Sequence, residues 1–140
     1  ILWKAFIDFE VSEGEADNAR ALFGRLLDRT NHVKVWISYG QFESSDAGGG
    51  LEAARKVFSD GYASLKVEGL KEERVLLLEA WKDVETAQST AGGDPQSIAA
   101  RMPRKIKMRR MAAGAEPRAG KDAVWEEYFD YHFPDDEKNI

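Results

Sequence analysis

The sequence predicts an all-α fold, an α-α superhelix (solenoid) of antiparallel helical hairpins. Three observations predict it. A triplet of aromatic residues spaced by three recurs along the chain, a motif of the form Ala-Arg-x-x-Phe follows its first two copies, and turn-forming residues separate the motifs. Each unit would then consist of a helix carrying the aromatic rings, a turn and a second helix, and stacked units would bury what one hairpin leaves exposed.

The aromatic motif reads Trp-x-x-Phe-x-x-Phe-Glu at 3–10 and returns as Trp-x-x-Tyr-x-x-Phe-Glu at 36–43. A third copy at 78–85 begins with leucine and keeps the glutamate, and a fourth at 125–132 ends in His132. Residues three apart share one side of a helix, so these rings are expected to form the core. The predicted signature residues are Trp3, Phe6, Phe9, Glu10, Trp36, Tyr39, Phe42, Glu43, Leu78, Trp81, Glu85, Trp125, Tyr128 and Tyr131.

The second motif supplies Arg20 and Phe23 in the first unit, and Arg55 and Phe58 in the second. Apolar residues around it recur at i, i+3, i+4, i+7 and i+8, starting from Ala19 in the first unit, and such a stripe is typical of an amphipathic helix. The second helix of each unit is therefore expected to turn its alanine and phenylalanine toward the core.

Each signature glutamate ends an apolar face, where a carboxylate is costly unless it is paired. The arginines of the second helices are the natural partners. We predict the pairs Glu10–Arg20 and Glu43–Arg55 or, alternatively, equivalent pairs between neighbouring units that fix the register of the hairpins. A further alternative is that the glutamates are solvated at the helix ends, where ion pairs contribute little.

Turn residues bound the predicted helices. Gly14 separates the first two, a glycine run at 48–50 lies in a loop, Gly69 stops a later helix, and Asp94-Pro95 is a strong start signal. Pro103 is expected to kink or interrupt the sixth helix. The predicted helices lie near 2–12, 15–30, 33–44, 51–67, 71–88, 95–110 and 122–132.

The repeat units are predicted at about 1–31, 32–67, 70–110 and 122–140, the last incomplete, with a flexible loop at 111–121. The chain begins with Ile1 and enters a helix-like pattern at once, so we expect residues 1–140 to be a fragment of a longer array.

Composition excludes several function classes. There is no cysteine, so disulfides and thiolate chemistry are excluded, and no run of 18 apolar residues predicts a membrane span. His32 and His132 lie far apart in the sequence, and neither belongs to a recognisable catalytic motif. We predict a protein that is not an enzyme and that needs no cofactor or metal.

The net charge of −5 hides a basic segment, because residues 101–121 hold eight Lys or Arg and one acid. This segment is interpreted as a nuclear-import signal, a contact to RNA phosphates, a dock for an acidic partner, or simply a solvated basic helix face. No aromatic residue interrupts it, so base stacking is not expected. Its candidate residues are Arg104, Lys105, Lys107, Arg109 and Arg110.

The two motifs together resemble the half-a-TPR (HAT) repeat, a TPR-like hairpin of RNA-processing scaffolds. The stretches 32–39, 71–81, 102–110 and 125–135 resemble the carboxy-terminal repeats of crooked-neck-like pre-mRNA-splicing factors. The resemblance implies a nuclear protein-interaction scaffold of the spliceosome, in the NineTeen complex, with other HAT scaffolds and splicing proteins as partners.

Three other interpretations stay open. The chain could bind RNA directly and without sequence preference through 101–110. It could be a HAT scaffold of another RNA-processing complex, such as the one that cleaves mRNA 3′ ends. Finally, it could form a homodimer through repeat faces that are left exposed.

Overall fold

The computed structural model describes residues 2–111 and 124–137. The chain divides into two compact units, Ile1–Ala100 and Arg101–Ile140. The first unit is helical. Its elements are α1 (Leu2–Ser12), α2 (Ala16–Arg29), α3 (Val33–Ser44), α4 (Leu51–Val67), α5 (Lys71–Ala87), a 3-10 turn (Ser89–Ala91) and α6 (Pro95–Ala99).

The helices predicted at 2–12, 15–30, 33–44, 51–67 and 71–88 are confirmed to within one residue at each end. Each helix packs against the next one along the chain, and α3 also packs against α5. The described chain is thus mostly helical, and this packing is compatible with a helical-repeat fold.

The turns that follow α1 and α4 are built alike. Gly14 and Gly69 have φ of 74° and 73°, a conformation in which a Cβ is unfavourable. The amide after each glycine donates to the carbonyl five residues earlier, at 2.9 Å after Gly14 and 3.0 Å after Gly69. This closure satisfies carbonyls at the end of the helix and reverses the chain into the next helix.

The helices can be grouped as the pairs α1–α2, α3–α4 and α5–α6, and stacked rings lie at the junctions between neighbouring pairs. Phe23 of α2 stacks on Tyr39 of α3 with ring centroids 4.7 Å apart, and Phe58 of α4 stacks on Trp81 of α5 at 5.7 Å. Complete burial, as of Phe23 and Phe58, contributes about 1.5–3 kcal/mol for each ring. The first junction also contains a cluster of buried residues, namely Ile7, Ala19, Phe23, Val35 and Phe42.

Two glycines allow α3 and α4 to approach closely. A Cβ at Gly40 would overlap the ring of Phe58, and a Cβ at Gly61 would lie 2.8 Å from the ring of Trp36. The indole nitrogen of Trp36 donates to Asn31 at 2.7 Å. The helix with the aromatic motif and the helix that follows it therefore pack ring against backbone.

The second unit corrects the all-α prediction. Its described part is an antiparallel hairpin of β1 (Arg104–Met111) and β2 (Trp125–His132), followed by the short helix α7 (Pro134–Glu137). The helix predicted at 95–110 is wrong beyond Ala99, and the helix predicted at 122–132 is wrong throughout the described residues. Of the loop predicted at 111–121, Met111 belongs to β1, and the remainder lies outside the described residues.

The physical reason lies in the pattern of 104–111. Ile106 and Met108 are half-buried, whereas the residues on either side of each are exposed, a period of two that suits a strand. Pro103 stands immediately before β1, where its missing N–H costs no ladder hydrogen bond. The fourth aromatic copy, at 125–131, therefore lies on a strand. The division into repeats stays a prediction for the helical unit only.

Candidate interaction surfaces

The signature residues of the helical unit are buried to different degrees. In α1 the rings of Phe6 and Phe9 are 56% and 58% exposed, whereas in α5 Leu78 and Trp81 are buried. The copy in α3 is intermediate, because Trp36 and Tyr39 are half-buried and Phe42 is buried. Phe6 and Phe9 therefore form an exposed apolar surface on α1, the α1 face, whereas the aromatic-motif residues of α5 belong to the core.

Glu43, near the end of α3, is buried and is bound by Arg20 of the preceding helix pair. The Arg20 Nε donates to both carboxylate oxygens at 3.2 and 3.1 Å, and its Nη2 donates to Oε1 at 3.0 Å. The backbone N–H of Gly49 also donates to Oε1 at 3.0 Å. A guanidinium and a backbone amide thus bind this carboxylate, and their hydrogen bonds offset the cost of its desolvation.

Glu85, near the end of α5, is bound in the same way by Arg55 of α4. The Arg55 Nε donates to Oε2 at 2.8 Å and its Nη2 to Oε1 at 2.7 Å. Two further donors are the backbone N–H of Asp94, at 2.8 Å, and the indole N–H of Trp81, at 3.0 Å. The same ion pair therefore occurs at two successive junctions of the helical unit.

Of the two pairings predicted for the glutamates, the one between neighbouring units is confirmed. The pairs Glu10–Arg20 and Glu43–Arg55 are wrong, because each arginine lies on the side of its helix that packs against the next helix pair. Each guanidinium also binds an exposed acid three residues earlier in its own helix. That of Arg20 binds Asp17 at 3.0 Å. The sequence contains a signal for these pairs, because an arginine in one unit is followed by a glutamate in the next unit twice, as Arg20 with Glu43 and as Arg55 with Glu85.

These contacts change the pKa of Glu85 and of the two arginines. The hydrogen bonds from Arg55 lower the pKa of Glu85, with smaller contributions from Asp94 and Trp81, although burial acts in the opposite direction. The same bonds raise the pKa of Arg55, and those with Glu43 raise the pKa of Arg20. Removal of either arginine would leave a buried carboxylate without its cation, at a cost of about 3–5 kcal/mol.

Glu10 occupies the equivalent position in α1 and differs from the other two. Its carboxylate accepts a hydrogen bond from Asn18 at 3.3 Å and makes no ion pair with any residue that the structure describes. It is only half-buried. A groove of roughly 910 Å³ lies between the first half of α1 and the second half of α2. Its apolar lining consists of Leu2, Trp3, Phe6, Ile7, Leu22 and Leu26.

The hairpin has two faces of different composition, because side chains alternate along each strand. With Lys107 opposite Phe129 and Met108 opposite Tyr128, the register assigns each residue to a face. The Trp125 face carries Lys105, Lys107, Arg109, Met111, Trp125, Glu127, Phe129 and Tyr131. The Tyr128 face carries Arg104, Ile106, Met108, Arg110, Glu126, Tyr128, Asp130 and His132.

The five candidate basic residues thus lie on β1 and not on a helix, and all five are exposed. The structure divides them, with Lys105, Lys107 and Arg109 on one face and Arg104 and Arg110 on the other. No aromatic residue interrupts them in the sequence, but strand pairing brings rings close to them. Rings of β2 lie beside them, with the Lys105 Nζ 4.4 Å from the centroid of Phe129.

Within residues 2–111 and 124–137, none of the helices has the length and apolar character needed to span a bilayer. In the same residues, His, Asp and Glu side chains form no cluster of three or more able to hold a metal ion.

The helix pairs and the ion pairs repeated between them define the class, a mostly helical protein whose packing is compatible with a helical-repeat fold, with a β-hairpin in its second unit. The chain is similar to three proteins named for splicing or for crooked neck. It is 44% identical over 140 residues to "Crooked neck-like protein 1" of Homo sapiens, 40% over 154 to "Pre-mRNA-splicing factor CLF1" of Pyricularia oryzae, and 39% over 149 to "Pre-mRNA-splicing factor cwf4" of Schizosaccharomyces pombe.

These alignments cover 99%, 99% and 96% of the chain, but 16%, 21% and 21% of the relatives' own lengths. No family model matches the chain. At about 40% identity over nearly its whole length, the chain is similar to one segment of crooked-neck-like pre-mRNA-splicing factors.

Proposed function

We propose that this chain is a protein-interaction segment of a nuclear pre-mRNA-splicing factor. In this proposal the helical unit is a set of HAT repeats within a solenoid, and it acts as a scaffold that holds other spliceosomal proteins of the NineTeen complex during spliceosome assembly and activation. The names of the relatives favour splicing over the cleavage of mRNA 3′ ends, because these relatives are named for splicing or for crooked neck.

The observation that carries the scaffold proposal is the repetition of one ion pair at two junctions. Arg20 reaches Glu43 and Arg55 reaches Glu85, so the same contact joins each helix pair to the next. Such nearest-neighbour interfaces are what stabilises a helical-repeat array. Glu10 lies at the position where a third contact of this kind would form, next to exposed rings of α1.

The occupant that best fits this α1 face is a helix with an Ala-Arg-x-x-Phe motif, such as another repeat of the same kind provides. Its arginine would bind Glu10, and its apolar stripe would cover Phe6 and Phe9, which are more than half exposed. Burial of these rings would contribute about 1.5–3 kcal/mol each if it were complete. A second copy of the chain is the alternative occupant, and it would produce a homodimer.

Capture of partners from nuclear extract, followed by mass spectrometry, tests the proposal. The chain is expected to enrich proteins of the NineTeen complex. Phe6→Glu should abolish enrichment that depends on the α1 face, whereas Leu76→Glu, a matched change at an exposed leucine of α5, should leave it intact. Enrichment of 3′-end cleavage factors in place of splicing proteins would refute the splicing assignment.

The oligomeric state separates the two occupants of the α1 face. Sedimentation of the isolated chain is expected to show concentration-dependent dimers only if a second copy binds there, and Phe6→Glu would then restore a monomer.

A second candidate function is contact between the basic residues of β1 and RNA phosphates. It is favoured by the exposure of all five of these side chains.

A further inference from the structure

The Trp125 face of the hairpin combines exposed rings with cations. Trp125 and Phe129 are 54% and 58% exposed, which is unusual for large aromatic side chains. They lie on the same strand four residues apart, and therefore roughly 13 Å apart along it. The two rings thus form separate platforms on one side of a two-stranded ribbon.

Charges are distributed unevenly between the two faces. The Trp125 face has three cations, Lys105, Lys107 and Arg109, against the single carboxylate of Glu127, which binds Lys107 at 2.8 Å. On the Tyr128 face two arginines are matched by two carboxylates, and Arg110 binds Glu126 at 2.7 Å. An excess of positive charge therefore accompanies the exposed rings on one face only.

Within the described residues, Arg109 makes no ion pair, and Lys105 is directed at the ring of Phe129 and not at an acid. Cations that lack acidic partners retain their capacity to bind anions. Lys105 and Arg109, with Lys107 between them, form a row along β1 that runs parallel to the row of rings along β2. A ligand that fits both rows must carry regularly spaced negative charges and flat groups able to stack.

We propose that the Trp125 face binds single-stranded nucleic acid, with bases stacked on Trp125 and Phe129 and phosphates bound by Lys105, Lys107 and Arg109. A duplex fits less well, because its bases are already stacked on one another and leave no face free for the rings. An acidic protein would meet the same cations, and the peptide control described below distinguishes it from a nucleic acid.

Stacking distinguishes this site from simple attraction of phosphates to a basic strand. Both mechanisms weaken with salt, but only stacking requires the rings. Alanine substitution of a stacking aromatic residue typically costs about 1–3 kcal/mol per base, which corresponds to a loss of roughly 5- to 150-fold in affinity. Base contacts of this kind are tolerant of sequence, so we expect no strong preference among unpaired sequences.

Fluorescence anisotropy with labelled oligouridine of about 12 nucleotides tests the proposal on the whole 140-residue chain. Trp125→Ala is expected to raise Kd roughly 5- to 150-fold, while Trp125→Phe keeps most of the affinity because a ring remains. Phe129→Leu preserves an apolar side chain on the strand but removes the ring, and it should raise Kd over the same range. Thermal melts and circular dichroism of each variant check that the hairpin persists.

A matched pair of charge variants tests the choice of face. Lys105→Ser with Lys107→Ser should reduce the slope of log Kd against log salt by about 1.4, as expected for the loss of two phosphate contacts on a single strand. Arg104→Ser with Arg110→Ser removes the same charge from the Tyr128 face and should leave the slope close to that of the unmodified chain.

Three results would overturn the proposal. They are an unchanged Kd for both Trp125→Ala and Phe129→Leu, equal effects of the two charge pairs, and equally tight binding of a polyglutamate peptide of similar length. The last result would assign the face to an acidic protein. Because the assay contains no splicing protein, failure here leaves the scaffold proposal standing.

Discussion

The same Trp-x-x-Tyr spacing occurs in two regions of this molecule and builds two different structures. In α3, Trp36 and Tyr39 lie on one side of a helix, and both are at least half-buried. In β2, Trp125 and Tyr128 lie on opposite faces of a hairpin, and Trp125 is exposed. A spacing of three places residues together on a helix and apart on a strand, so spacing alone does not determine which structure forms.

What separates the two regions is the sequence that accompanies the aromatic motif. The copies at 3–10 and 36–43 are each followed by Ala-Arg-x-x-Phe, whereas the fourth copy pairs with the basic run at 104–111. There the acids Glu126 and Glu127 of β2 lie opposite the arginines Arg110 and Arg109 of β1. Opposite charges across an antiparallel pair stabilise that register.

The largest expected effect is the loss of stability when a buried tryptophan is replaced, and an exposed tryptophan serves as the comparison. Trp81→Ala should lower the free energy of unfolding by about 3–5 kcal/mol, because it leaves a cavity beside Phe58 and removes a donor to Glu85. Trp125→Ala should change the stability of the helical unit by less than about 0.5 kcal/mol. Urea denaturation followed by circular dichroism measures both. Equal losses would contradict the distinction between the two regions.

The next effect in size is the coupling energy of the ion pairs that join neighbouring helix pairs. A double-mutant cycle on Arg20 and Glu43 should give a coupling energy of about 1–3 kcal/mol. The matched cycle on Arg55 and Glu43, which the structure does not pair, should give a coupling near zero. The reverse ranking would restore the pairing within units and refute the junctions described above.

The pH dependence of stability tests the second junction. Because the folded pKa of Glu85 is lowered, the unfolded state binds more protons at acidic pH, and stability rises with pH there. Its contribution is complete above the unfolded pKa of about 4.3 and is lost as pH falls through the lower folded pKa. Glu85→Gln should be less stable at pH 7, and the difference from the unmodified chain should narrow in acid. A difference that does not depend on pH would contradict the charged pair.

The smallest effect is expected on the hairpin surface. Lys107 and Glu127 are both more than half exposed, so Lys107→Ala should change stability by no more than about 0.2–1 kcal/mol. The helical unit provides the contrast, since Arg55→Ala removes the partner of a buried carboxylate. A larger loss for Lys107→Ala than for Arg55→Ala, measured by thermal melts, would overturn the ranking of exposed and buried pairs.

Much of the helical unit could be predicted from the sequence, because apolar periodicity, glycine turns and the Asp94-Pro95 start signal agree with one another. The partner of each glutamate could be narrowed to an arginine of the same unit or of a neighbouring one, but the sequence does not choose between the two, since the choice depends on which side of α2 packs against α3. Three-residue spacing does not predict the hairpin, because it occurs on helices and strands alike, and only the alternation around Ile106 and Met108 indicates a strand. Nor does it predict that rings of β2 lie beside cations of β1, since that depends on the pairing of the two strands.

We conclude that one aromatic spacing forms helices in the first unit and a β-hairpin in the second. Backbone NMR of the chain checks this claim residue by residue. We expect helical Cα and Cβ shifts over 33–44, extended shifts over 104–111 and 125–132, and cross-strand NOEs between Met108 and Tyr128. Helical shifts over 125–132 without these NOEs would contradict the claim.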